Sequence, residues 1–159
     1  MNSFSFSVPQ NIIVEKGGLA KLPEVAKELG GTKAFIISGP HLNKMGIVGK
    51  CIEALEAKGI KATAYTDTEG NPSVETVEKA TESFKESDSD FIIALGGGSP
   101  MDVAKAVGVI AKYGGSITDY EGGGKVPGDI IPLIAVPTTA GTGSEAVSYT
   151  HLRAHETKA

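Results

Sequence analysis

The feature that most constrains this chain is a strict alternation of short apolar runs with helical patterns. Residues 4–8 alternate and residues 12–15 are β-rich, with Pro9 and Gln10 as a turn between them, so the chain opens as a short hairpin. Leu19, Leu22, Val25, Ala26 and Leu29 then fall at helical spacing over 19–29, and Gly30-Gly31 ends the run. Residues 33–38 read as a buried parallel strand. Residues 43–58 form the next helix, with Met45, Val48, Cys51, Ile52 and Leu55 on one face and Gly59 as the stop. A strand over 61–66, a loop to Pro72, a charged helix over 73–87 starting at Ser73 and a strand over 90–95 follow. A helix from Ser99 to Tyr113, a polar Gly-rich loop over 114–129 and a strand over 131–136 complete the series. Such a series makes an α/β fold, a Rossmann-like parallel sheet with flanking helices and right-handed crossovers. Ligands in such sheets bind at the carboxyl ends of the strands.

Bulk properties exclude several classes. The chain has 159 residues and a net charge of −4 without a basic block, which argues against a nucleic-acid partner. No apolar run approaches the ~20 residues that span a bilayer, and no basic start leads an apolar stretch as a secretory signal would. The expected setting is cytoplasmic, with no membrane partner. Cys51 is the single cysteine, so no internal disulfide can form, and its place is the buried side of a helix.

Glycine is the departure from ordinary composition: 21 residues, clustered at 96–98, 122–124 and 141/143. Clustered glycine marks places where backbone approaches something closely. At 91–102 an apolar strand runs into Gly96-Gly97-Gly98 and a helix starts at once. The turn can aim N–H groups inward, and the helix start adds positive partial charge, so together they can cradle a phosphate. The spacing is not G-x-G-x-x-G. Helix punctuation accounts for part of the pattern equally well: Ser99 suits an N-cap, Pro100 the first helical position, and Asp102 a capping box.

At 132–145 a second apolar strand ends in a loop carrying Thr138, Thr139, Thr142 and Ser144 among small residues. Its hydroxyls suit a ribose or pyrophosphate, or else form a polar connection capped by Ser144. Ser38-Gly39-Pro40 is a third strand end facing the same crevice. Asn71-Pro72 reads as a turn in which Asn71 bonds its own backbone. His151 and His155 are four apart, but no third metal ligand stands near them.

At Gly96-Gly97-Gly98-Ser99-Pro100-Met101-Asp102 with Ala104-Lys105-Ala106, and at Pro137 to Glu145, the chain resembles the iron-containing (group III) alcohol dehydrogenases. The resemblance runs from about residue 5 to about residue 146. It implies the N-terminal domain of a two-domain enzyme, an α/β unit like that of dehydroquinate synthase that binds NAD or NADP. On this resemblance, the all-helical domain that binds Fe²⁺ or Zn²⁺ is expected to lie outside these 159 residues. Hydride would pass between the nicotinamide and a small alcohol or aldehyde, with the metal polarising the oxygen. The resemblance further implies that Gly97, Gly98 and Ser99 hold the pyrophosphate, with Gly96 also at the cofactor, and that Thr138, Thr139 and Thr142 line the adenine, ribose and nicotinamide side. Asn71 would face the cofactor, and Asp102 would lie near the nicotinamide end. Gly39 stands where NAD-preferring members have an Asp on the adenosine ribose, which leaves NADP as open as NAD. The parent enzyme is expected to be a homo-oligomer.

Residues 147–159 depart from the family pattern, so the expected division is a cofactor domain over 1–146 and a foreign or disordered tail over 147–159. The family's metal ligands, an Asp and three His, fall on no residue of this chain. Other readings are a relative such as a glycerol dehydrogenase or dehydroquinate synthase, or a stand-alone dinucleotide-binding module without catalysis. The chain alone is expected to be inactive, and alcohol-dependent reduction of NAD(P) by the purified 159-residue protein would overturn that expectation.

Overall fold

The computed structural model describes residues 12–13, 18–68, 70, 72–120 and 126–137. The elements are β1 (Ile12–Ile13), α1 (Gly18–Leu29), β2 (Lys33–Ile37), α2 (Pro40–Lys44), α3 (Ile47–Glu56) and β3 (Lys61–Tyr65). After them come α4 (Val74–Ser87), β4 (Phe91–Gly96), α5 (Gly98–Tyr113), a 3₁₀ turn (Ile117–Tyr120) and β5 (Leu133–Pro137). The expected hairpin partner at 4–8, the boundary at 146 and the tail over 147–159 lie outside the described residues.

The five strands form one sheet in the order β1-β5-β4-β2-β3, and every pairing is parallel. Parallel neighbours require a crossover, and α1, α3, α4 and α5 are the helices that make it. Strand alternation then divides the core. Ala34 and Ile36 of β2, Phe91, Ile93 and Leu95 of β4, and Ile134 and Val136 of β5 pack with Leu22 and Ala26 of α1 and Val48, Cys51 and Leu55 of α3. Their neighbours Phe35, Ile37, Ile92, Ala94 and Leu133 face Ala80 and Phe84 of α4 and Val103, Ala104 and Val107 of α5. On this second face the Phe35 and Phe84 rings meet edge to face at 5.4 Å. Burial pushes the Cys51 thiol up to about 12, so it behaves as a small apolar side chain.

Two expectations need correction. The helix expected over 43–58 is two helices, because Gly46 takes φ 85° and breaks the run after Met45. That break turns Met45 out of the core, where it is 51% exposed instead of packed beside Val48. The loop expected over 114–129 contains a 3₁₀ turn. Its Asp119 carboxylate accepts from the Ser116 N–H, and the Tyr120 hydroxyl donates to the Gly114 carbonyl.

At the amino edge of the sheet, Asp90 joins β2 to β4. Its carboxylate accepts from the Thr32 hydroxyl at 2.6 Å, from the Thr32 N–H at 3.1 Å and from the Lys33 N–H at 3.0 Å. Gly31 beside it lies against Phe91, whose ring would stand 2.3 Å from a Cβ placed there, so only glycine fits. Burial works against the Asp90 charge, but the bonds from Thr32 and Lys33 outweigh it and hold the carboxyl below its ordinary 3.8. A folded value below the unfolded one stabilises the fold above the unfolded value, and this is lost as pH falls through the folded value. Asp90→Ala is therefore expected to lower the thermal midpoint by a few degrees near pH 7 and by progressively less below about pH 4. Circular dichroism melts across that range check it, and an equal deficit at about pH 3 would assign the loss to something other than the carboxylate.

Candidate functional site

The order of strands fixes where a site can form. From β2 the chain moves outward to β3, whereas from β4 it moves outward the other way to β5, so progression reverses between β2 and β4. Connections leave those two strands in opposite directions and open a crevice at their carboxyl ends. A cavity of about 360 Å³ occupies that position. Three loops line it: Gly39, Pro40, His41 and Leu42 after β2, Asp67, Thr68 and Gly70 after β3, and Gly96, Gly97, Ser99 and Pro100 after β4.

The glycine turn divides into parts with different causes. Gly96 ends β4 with φ 133°, a value L side chains rarely adopt. A Cβ there would also come within 3.1 Å of the Pro100 ring and 3.3 Å of the Leu42 side chain. Gly96 is thus required by the chain's own backbone and packing. Gly97 differs: its φ is −89° with ψ −145°, and among the described residues nothing lies within 4 Å of where its Cβ would stand. The same open space surrounds Gly98.

Helix α5 starts one residue earlier than the sequence suggests. Gly97 is its N-cap and Gly98 its first residue, which moves Ser99 and Pro100 inside the first turn. Gly97 at the N-cap makes no side-chain cap bond, and Ser99 does not hold the N-cap position expected of it. Pro100 carries no N–H and so leaves one donor fewer to satisfy. By contrast Ser73 caps α4, its hydroxyl accepting from the Thr76 N–H.

Among the residues expected to form a site, Gly39, Gly96, Gly97 and Ser99 come together around the cavity. Gly98 adjoins it at the start of α5, and Asp102 sits exposed in α5 outside the lining. Asn71, Thr138, Thr139 and Thr142 lie outside the described residues. Pro137, the last residue of β5, pairs with Gly96, so the chain leaves β5 beside the glycine turn. Sequence reasoning missed His41, Leu42, Asp67 and Thr68, which reach the cavity through short connections after β2 and β3. Only the strand-end rule could have pointed to them. Among the described residues, no three His, Cys, Asp or Glu side chains converge as a metal site would require, and no helix is long and apolar enough to cross a membrane.

Comparison with known proteins places these features in context. The profile of the iron-containing alcohol dehydrogenases matches residues 9–159. A choline dehydrogenase of Bacillus subtilis is 38% identical over 148 residues, covering 91% of this chain and 37% of the relative. The crystal structure of a 1,3-propanediol oxidoreductase superposes with a TM-score of 0.76 at 32% identity, over 90% of this chain and 37% of that one. A sulfoacetaldehyde reductase from Bifidobacterium kashiwanohense, solved in complex with NAD⁺, superposes with a TM-score of 0.73 at 34% identity, over 92% of this chain and 39% of that one. The chain thus spans less than two fifths of the length of these relatives.

The division within the glycine turn is open to test. Gly96→Ala is expected to lower the unfolding free energy by about 2 kcal/mol, the scale of forcing a side chain into a glycine-only conformation. Urea denaturation measures it, and an unaltered midpoint would show that the turn relaxes freely.

Proposed function

The chain belongs to the iron-containing alcohol dehydrogenase family, and from that premise we propose that the cavity at the carboxyl edge of its sheet holds a nicotinamide dinucleotide, NAD or NADP. The observation that carries this reading is Gly97. It lines the cavity at φ −89° and ψ −145°, and among the described residues no atom lies within 4 Å of where its Cβ would stand. Glycine there leaves room for a group that the protein itself does not supply. The adjacent start of α5 has glycine at its N-cap and carries the positive end of a helix dipole, which suits a pyrophosphate.

In this reading Gly96, Gly97, Gly98 and Ser99 hold the pyrophosphate. Thr138, Thr139 and Thr142 are assigned to the same site, supported by the pairing of Pro137 with Gly96. Asn71 is assigned to the cofactor side and Asp102 to the nicotinamide end, both from the family resemblance. Gly39 brings no carboxylate to the rim, so nothing at that position repels a 2′-phosphate. The bound dinucleotide supplies or accepts the hydride, and the residues of this chain hold and orient it.

The exchange partner we propose is a small alcohol or aldehyde. The named substrates of the propanediol and sulfoacetaldehyde relatives support that class. The family's metal, Fe²⁺ or Zn²⁺, would act on the alcohol oxygen as a Lewis acid. The described residues do not form its site, and no step is assigned to the metal through them.

Gly97→Ala is the separating variant. Its thermal midpoint is expected to stay within a few degrees of the parent, while its affinity for NADH or NADPH falls about tenfold, because a methyl group enters the space meant for phosphate. Titration of reduced-cofactor fluorescence reads the affinity. Undiminished binding by a folded Gly97→Ala chain would remove the glycine turn from the site, and a comparison of NADH with NADPH shows which cofactor the open rim at Gly39 accepts.

A further inference from the structure

Resting on the dinucleotide reading, we propose that Ser38 and Thr68 are positioning residues of that site, forming a buried hydroxyl relay that fixes its three loops against one another. Ser38 follows β2 directly and is fully buried. Its Oγ donates to the carbonyl of Leu95 at 2.8 Å, and Leu95 is the residue before the glycine turn. Thr68, in the loop after β3 and 4% exposed, donates from Oγ1 to the carbonyl of Ser38 at 2.9 Å. The Ser38 N–H in turn donates to the Tyr65 carbonyl at 3.0 Å, which extends the β2–β3 ladder past its last paired residues.

The loops that line the cavity are thereby joined in series. Thr68 ties the β3 loop to the turn after β2, and Ser38 ties that turn to the end of β4. The two bonds span 30 and 57 positions of sequence, so neither is local punctuation such as a cap or an Asx turn. The rims they join are already in contact: a Cβ on Gly39 would stand 3.3 Å from the Thr68 hydroxyl. The glycine turn can bind a pyrophosphate only while its N–H groups keep one orientation toward the opposite rim. Ser38, which is outside the lining, and Thr68, whose hydroxyl is engaged by the Ser38 carbonyl, can govern affinity in this way, by holding the site in its binding geometry.

A different buried hydroxyl provides the control. Thr81 is 5% exposed and donates to the Val77 carbonyl within α4, remote from the cavity lining. Thr68→Val, Thr68→Ser, Ser38→Ala and Thr81→Val are compared in the full chain, with affinity read from titration of NADH or NADPH fluorescence and stability from thermal melts. The expected result is about tenfold weaker binding in Thr68→Val and Ser38→Ala, restoration in Thr68→Ser, and unchanged affinity in Thr81→Val whatever its midpoint. Unchanged affinity in a folded Thr68→Val chain overturns the relay, as does an equal loss in Thr68→Ser. If Ser38→Ala fails to fold, the two Thr68 variants decide the matter alone. Failure of the unaltered chain to bind either dinucleotide overturns the cofactor reading and the relay with it, an outcome distinct from failure of the relay alone.

Discussion

A parallel strand cannot turn back on its neighbour, and the rest of this molecule follows from that. Each of the inner strands must be rejoined by a chain segment crossing a face of the sheet, so both faces are covered by helices and strand residues are buried on both sides. No polar side chain has a place along β2, β4 or β5 between their first and last residues. Polar chemistry is confined to the strand ends, where helices begin. The two edges then divide the work. At the amino edge Asp90 gathers the Thr32 and Lys33 donors and holds β2 to β4. At the carboxyl edge the connections diverge from the reversal between β2 and β4 and leave a cavity.

Glycine serves unrelated purposes in this fold, and the structure separates them. Gly31 is excluded from being anything else by the Phe91 ring. Gly96 is demanded by its φ and by Pro100 and Leu42. Neither cause is found at Gly97 or Gly98: among the described residues nothing stands within 4 Å of their Cβ positions, next to a helix start with glycine at its N-cap. That open turn is where the proposed dinucleotide site draws its support from this chain.

Several features of the site are legible in the order of residues alone. The run from Phe91 to Asp102 announces a strand, a glycine turn and a helix, and those elements are present with shifts of one residue at their boundaries. The shift matters chemically. Ser99 reads as a cap from its residue type, yet Gly97 holds that position, because the turn carries the helix axis back one residue. Met45 shows a second limit. Its spacing matches the buried face of a continuous helix, but a left-handed Gly46 interrupts the helix and rotates it outward. Ser38 is legible only as part of a strand end and Thr68 not at all, since each bond in their relay joins residues distant in sequence.

By itself the sequence determined the class of fold, the assignment of nearly every described element and the glycine turn as the place to look. Those follow from periodicity and from the backbone preferences of glycine and proline, which act over a few neighbouring residues. Only the tertiary structure decided the order of strands, the reversal between β2 and β4, and hence which three loops share one cavity. It alone showed which glycines are required by packing and which are not. The physical reason is the same in each case. Strand order, cavity walls and buried hydroxyl bonds join residues dozens of positions apart, and contacts at that range are settled when the whole core packs.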